Sequence, residues 1–126
     1  MNLHLTDKLA LVSGSTKGIG FAIVQGLARE GARVILNGRS QASVDEALGR
    51  LRGEQADAKV DGFAGDLSDP RQIEALVKRY PAVDVLVNNL GIFDPKPFEE
   101  IPDEDWVRFL DVNLLSGVRL SRAYLP

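Results

Sequence analysis

Residues 12–20 read Val-Ser-Gly-Ser-Thr-Lys-Gly-Ile-Gly, with three glycines spaced four and two apart between an apolar run and an amphipathic helical pattern. A strand that turns sharply into a helix here, with no side chains in the way, lets a phosphate approach backbone N–H groups and the positive end of a helix. That geometry binds nucleotides, and Gly14, Ser15, Lys17, Gly18, Ile19 and Gly20 are the candidate contacts. Glycines also gather in turns for purely structural reasons. Position favours the nucleotide, because the loop follows the first strand and opens the first helix.

The rest of the chain alternates two kinds of segment. Leu9-Ala10-Leu11-Val12, Arg33-Val34-Ile35-Leu36 and Val83-Asp84-Val85-Leu86-Val87 are short and almost continuously apolar, as buried parallel strands are. A weaker strand spans Ala58 to Ala64. Between them lie helical faces: Ile19, Ile23 and Leu27 with Ala22 and Val24; Val44, Ala47, Leu48 and Leu51; Ile73, Leu76, Val77 and Tyr80. Ser40 or Ser43 is expected to cap the second helix, and Ser68 or Asp69 the third, with Pro70 in its first turn. A fourth helix is expected from about Asp103 to Ala123, apolar over much of its circumference and in need of cover on more than one side. Trp106 and the phenylalanines read as core, and Asp94 to Pro97 as a loop.

This alternation predicts an α/β, Rossmann-like parallel sheet with helices on both faces, ending after the fourth βα unit; in the dinucleotide-binding arrangement its strand order is 3-2-1-4. Residues 1–126 are expected to form one dinucleotide-binding domain, with its crevice between strands one and four at their carboxyl ends.

Composition narrows the function. With 44% hydrophobic and 26% charged residues the chain suits a globular core, and its apolar runs fall far short of a bilayer span. The first eight residues lack the apolar centre of a secretory signal. The absence of cysteine excludes disulfides, zinc–thiolate sites and a cysteine nucleophile. No His/Asp/Glu cluster has metal-ligand spacing, and the one histidine, His4, is expected to be solvated. A cytoplasmic location is the default expectation. A net charge of −3 disfavours nucleic acid as a partner, which singles out any paired cations.

Two such cations are present. Lys17 stands at a helix N-terminus, a placement that costs about 0.3–1 kcal/mol unless an anion occupies the site; a solvated lysine is the alternative. Arg39, with Ser40 beside it, follows the second strand where a dinucleotide fold faces the adenosine ribose. An acid there accepts from the ribose 2′-OH and selects NAD, whereas an arginine pairs with a 2′-phosphate. No acid stands at positions 37–40, so the expected cofactor is NADP(H); the alternative is that Arg39 merely closes a surface loop.

Three further elements carry polar groups, two at strand ends and one within the last helix. Asp66-Leu67 follows the third strand, where a carboxylate can accept from an adenine amino group, although Asp66-Leu67-Ser68-Asp69-Pro70 equally suits a turn. Asn88-Asn89-Leu90-Gly91 follows the fourth strand, at the switch point, where adjacent amides need partners. Asn113 interrupts the apolar stripe of the last helix, either as a satisfied core amide or as a functional group.

Taken together, Gly14-x-x-x-Gly18-Ile19-Gly20, Asp66-Leu67, Asn88-Asn89-Leu90-Gly91 and Asn113 resemble the short-chain dehydrogenase/reductase family, closest to its carbonyl reductase and 3-oxoacyl reductase-like branch. The likeness runs in order from about Leu5 to Pro126. It implies that the glycine loop holds a pyrophosphate, Asp66 contacts adenine, Asn89 lies by the adenosine ribose and Asn88 braces the sheet. Lys17 and Arg39 match positions that mark NADP(H) users. Leu90 departs from the family's usual alanine. The implied activity is reversible hydride transfer between nicotinamide and a small-molecule carbonyl or alcohol, with Asn113 holding a water in the proton relay. The implied assembly is a homo-oligomer, dimer or tetramer, through the last helix.

The family's active site also needs a serine and a Tyr-x-x-x-Lys pair. Asp84 stands four residues after Tyr80, and Tyr124 is followed only by Leu125 and Pro126. The chain is therefore expected to be the cofactor-binding half of an NADP(H)-dependent oxidoreductase, binding nucleotide without turnover on its own. A non-catalytic NADP-binding or interaction module is the alternative, and a prematurely ended copy of a full enzyme is a third.

Overall fold

Every residue of β1 (Leu9–Val12) after the first is fully buried, which places this strand at the centre of the sheet. The computed structural model describes residues Met1–Pro126. After β1 come α1 (Gly18–Arg29), β2 (Arg33–Gly38), α2 (Gln41–Glu54), β3 (Val60–Ala64), α3 (Pro70–Arg79) and β4 (Val85–Val87). A 3-10 turn (Phe98–Glu100), α4 (Asp103–Leu110), a π-helical turn (Asp111–Leu115) and α5 (Ser116–Tyr124) complete the chain. All strand pairs are parallel, in the expected order β3-β2-β1-β4, with Val12 level with Leu36 on one side and Val87 on the other.

Period-two alternation along β1 and β2 builds a core on each face. Val12, Val34 and Leu36 pack with Phe21 and Val24 of α1 and Val44, Leu48 and Leu51 of α2. Leu11 and Ile35 point the other way, onto Leu67, Ile73, Leu76 and Leu120. The caps resolve the open choices. Ser40 accepts from the Ser43 N–H at 3.1 Å, and Asp69 accepts from the Arg71 N–H at 2.9 Å with Pro70 in the first position of α3.

Three expectations need correction. In α1 the buried residues are Gly20, Phe21, Val24 and Ala28, while Ile19 is 76% exposed and Ala22 is also exposed. A Cβ on Gly20 would meet the Gly14 carbonyl at 2.5 Å, so the helix docks through this glycine and Ile19, about 100° round the axis, turns outward. Next, the last helix is not regular: the widened turn at Asp111–Leu115 divides it. Apolar periodicity carries no sign of that widening, because Asn113 is engaged outside its own helix. Finally, Phe93, Phe98 and Trp106 are exposed, and only Phe21 and Phe63 belong to the core. Val107, Leu110, Leu114 and Val118 likewise face solvent, so the cover this helix calls for is not supplied within these residues. No helix is long and apolar enough to cross a membrane.

Candidate functional site

The turn after β1 is held by polar groups from both neighbouring strands. Ser15 donates its N–H to the Asn37 carbonyl at 2.7 Å, and its hydroxyl accepts the Asn37 N–H at 2.9 Å while donating to the Val12 carbonyl at 2.8 Å. Asn37 Oδ1 accepts the Gly14 N–H at 2.9 Å, and Asn37 Nδ2 donates to the carbonyls of Phe63 and Gly65, each at 3.1 Å. One buried amide thus ties together the ends of β1, β2 and β3.

From the other side, Ser13 Oγ accepts the N–H groups of Asn89 and Leu90, both at 3.0 Å, and Asn89 Nδ2 donates to the Gly14 carbonyl at 3.0 Å. No buried side-chain polar atom lacks a partner. Leu90, at the position of the family's usual alanine, lies over Gly14, 3.2 Å from where a Cβ would stand there.

Within this frame the loop presents bare main chain. Gly14 and Gly18 adopt φ of +58° and +62°, a region that L side chains rarely enter. A Cβ on Gly18 would have nothing within 4 Å, so open space lies in front of it. The first turn of α1 carries no side-chain cap and no acid, leaving its N–H groups unclaimed. Around the loop runs a hollow of about 540 Å3 whose lining includes Gly14, Lys17, Arg39, Ser40, Asp66 and Gly91. Lys17 and Arg39 are both exposed on this one hollow, and Arg108 of α4 lines it as well.

The remaining predicted residues stand around the hollow. Gly18, Ile19 and Gly20 open α1 beside it. The side chains of Ser15 and Leu67 are fully buried, Leu67 as core and Ser15 as a brace whose N–H is also taken by the Asn37 carbonyl. Asn89 sits behind Gly14.

Asp66 serves its turn with one oxygen, where Oδ1 accepts from the Ser68 N–H at 3.0 Å and the Ser68 hydroxyl at 2.6 Å, while its residue lines the hollow. Asn113 is exposed rather than a core amide. Its Oδ1 accepts the Ile92 N–H at 2.7 Å and its Nδ2 donates to the Ile92 carbonyl at 3.1 Å, which pins the loop after β4 to the π turn.

Sequence reasoning missed three supports. Ser13 and Asn37 have a legible signal, since each is a polar residue at the carboxyl end of a buried apolar strand and must find partners. Arg119 has none. Its Nη1 donates to the Ser68 carbonyl at 3.0 Å and to Asp111 Oδ1 at 2.8 Å, linking the β3–α3 turn to the π turn.

Beyond the crevice, Lys96 Nζ contacts Asp105 Oδ2 at 2.5 Å and Asp94 Oδ2 at 3.6 Å. The hydrogen bond to Asp105, reinforced by both carboxylate charges, raises the Lys96 pKa above its ordinary value.

Known proteins are similar to this chain in sequence and in fold. The family model for short chain dehydrogenases matches residues 8–126. An uncharacterized oxidoreductase of Bacillus subtilis, YvaG, is 50% identical over 99% of this chain and 47% of its own length. A 3alpha-hydroxysteroid dehydrogenase of Mediterraneibacter gnavus is 37% identical over 98% of this chain and 51% of its own. Among solved structures, L-sorbose reductase from Gluconobacter frateurii, complexed with NADPH and L-sorbose, superposes with a TM-score of 0.91 at 32% identity, covering 100% of this chain and 49% of that one. The chain spans about half the length of the curated relatives it matches. A glycine loop of bare main chain, a parallel sheet ordered 3-2-1-4 and a family match along nearly the whole sequence place this chain in the short chain dehydrogenase family.

Proposed function

We propose that residues 1–126 are the dinucleotide-binding domain of an NADP(H)-dependent oxidoreductase acting on a small carbonyl or alcohol compound. The observation that carries the cofactor choice is the pairing of Lys17 and Arg39 on one hollow with no acid at positions 37–40. The residues fit the group. Gly18 and the rest of the uncapped first turn of α1 offer N–H groups to a diphosphate, which the bare main chain at Gly14 lets approach. Arg39 and Lys17 offer a guanidinium and an ammonium to a 2′-phosphate, with the Ser40 hydroxyl alongside. Asp66 offers an acceptor to adenine.

When bound, nicotinamide would donate the hydride to a carbonyl or accept it from an alcohol. This chain's own residues bind and orient: Asn89 and Ser13 hold the loop, and Asn113 fixes Ile92 and hence the rim of the crevice beside β4. The resemblance assigns Asn113 to the proton relay; the serine, tyrosine and lysine of that relay have no counterparts among these residues, so binding without turnover is expected of them alone. The exposed stripe Val107, Leu110, Leu114 and Val118, spaced three and four apart, supports self-association through this helix. The reading includes a cytoplasmic location.

The test is a titration of the purified chain with NADPH and NADH, followed by the fluorescence of the reduced nicotinamide. Tighter binding of NADPH is expected. Equal affinities would show that the two cations do not act together, and no binding of either would end the reading.

A further inference from the structure

Past Ile92 the loop leaves the crevice and lines a second, half-open cavity of about 220 Å3, walled by Phe93, Ile101, Trp106 and Phe109. Phe98 meets Trp106 edge-on, with ring centroids 6.1 Å apart, and steadies the indole at the rim. The size is ample for one ring, since an apolar cavity of roughly 150 Å3 holds benzene.

The cavity's single cation is already paired: Lys96 is held between Asp105 and Asp94. From Asp94 to Asp105 the chain carries six carboxylates and this one lysine. Arg108, the nearest cation along α4, lines the crevice instead. An entering anion therefore meets an apolar wall, no free positive partner and an adverse field. A neutral ring meets aromatic faces and gives up no charge hydration.

We propose that this cavity binds a small uncharged cyclic ketone or alcohol, and that its acidic rim turns anionic compounds away. As a substrate site it rests on the dinucleotide reading, for a spatial reason. A dinucleotide with its adenosine end at Arg39, beyond β2, extends across β1 toward β4, and Phe93 begins where Gly91 and Ile92 cease to line that crevice.

Trp106 is the chain's only tryptophan, so one indole N–H resonance reports on the cavity without any turnover. The chain is titrated with cyclohexanone and, separately, with oxocyclohexanecarboxylate. Cyclohexanone is expected to shift that resonance saturably, with affinity at least about fivefold above the carboxylate's at low salt. The gap should narrow on going from about 0.1 M to about 1 M salt, as screening shortens the reach of the rim charges. It should also narrow in Asp94→Asn combined with Asp105→Asn; the salt series stands by itself if that variant fails to fold. Equal affinities at low salt, or no shift with cyclohexanone, would overturn the proposal. NADPH binding is scored in parallel. A chain that binds NADPH and not the ketone overturns the cavity alone; one that binds the ketone and not NADPH supports the cavity and overturns the cofactor reading.

Discussion

Asn37 Oδ1 accepts the Gly14 N–H at 2.9 Å, so a side chain at the end of β2 sets the glycine turn at the end of β1. The same amide satisfies the carbonyls of Phe63 and Gly65 across β3. Removing it leaves a donor and two acceptors in a site where Asn37 is 1% exposed. Asn37→Ala is expected to lower stability by about 2–4 kcal/mol, the cost of unmet buried polar groups. Urea unfolding monitored by circular dichroism measures it, and a loss under about 1 kcal/mol would mean that water replaces the amide.

Gly20 and Gly26 lie in one helix and should respond in opposite directions. A Cβ at Gly20 would meet Asn89 Nδ2 and the Gly14 carbonyl, each at 2.5 Å, whereas one at Gly26 would meet nothing within 4 Å. Gly20→Ala is expected to destabilise by about 1–3 kcal/mol through overpacking and to spread the glycine loop. Gly26→Ala should stabilise by about 0.5–1 kcal/mol, because alanine loses less backbone freedom in a helix interior. Thermal melts of the two variants against the parent check the sign of each.

Arg39→Asp replaces a cation on the hollow by a carboxylate suited to a ribose hydroxyl. NADPH affinity is expected to fall at least about tenfold while NADH affinity holds or rises, narrowing or reversing the preference. Lys17→Met should weaken NADPH binding more than NADH binding. If Arg39→Asp weakens both nucleotides equally, the arginine is not reading the 2′ position.

The alkaline limit of stability should depend on Tyr124. Burial raises its hydroxyl above the ordinary tyrosine value, and that hydroxyl donates to the Tyr80 carbonyl at 2.9 Å. Tyr80 is raised as well, by burial first and then by the charge of Asp61. Between the unfolded value near 10 and the raised folded value, the folded chain keeps a proton that the unfolded chain has lost. Stability from this source is therefore complete below about pH 10 and declines as pH climbs through the folded value. Tyr124→Phe should cost about 1 kcal/mol at neutral pH and flatten the decline above about pH 10. An unchanged alkaline slope would assign the loss to other groups.

How much of this was legible in the chain itself depends on the range of the interaction. The parallel sheet followed from short apolar runs alternating with helical ones, and its order from the dinucleotide-binding arrangement that the glycine loop points to, because right-handed crossovers leave few arrangements. Caps at Ser40 and Asp69, the glycine turn and the cations beside it are local features, written in neighbouring residues. Only the tertiary structure decided that Ile19 faces outward, that Leu67 and Ser15 lie beneath the crevice rather than in it, and that the last helix widens around Asn113. It also decided that Phe93 and Trp106 edge an open cavity instead of filling a core. Some of these depend on a partner far along the chain: Asn89 for the docking of α1 at Gly20, and Ile92 for Asn113. Periodicity reports which residues are apolar, but which surface covers them is settled by contacts between segments that sequence spacing does not encode.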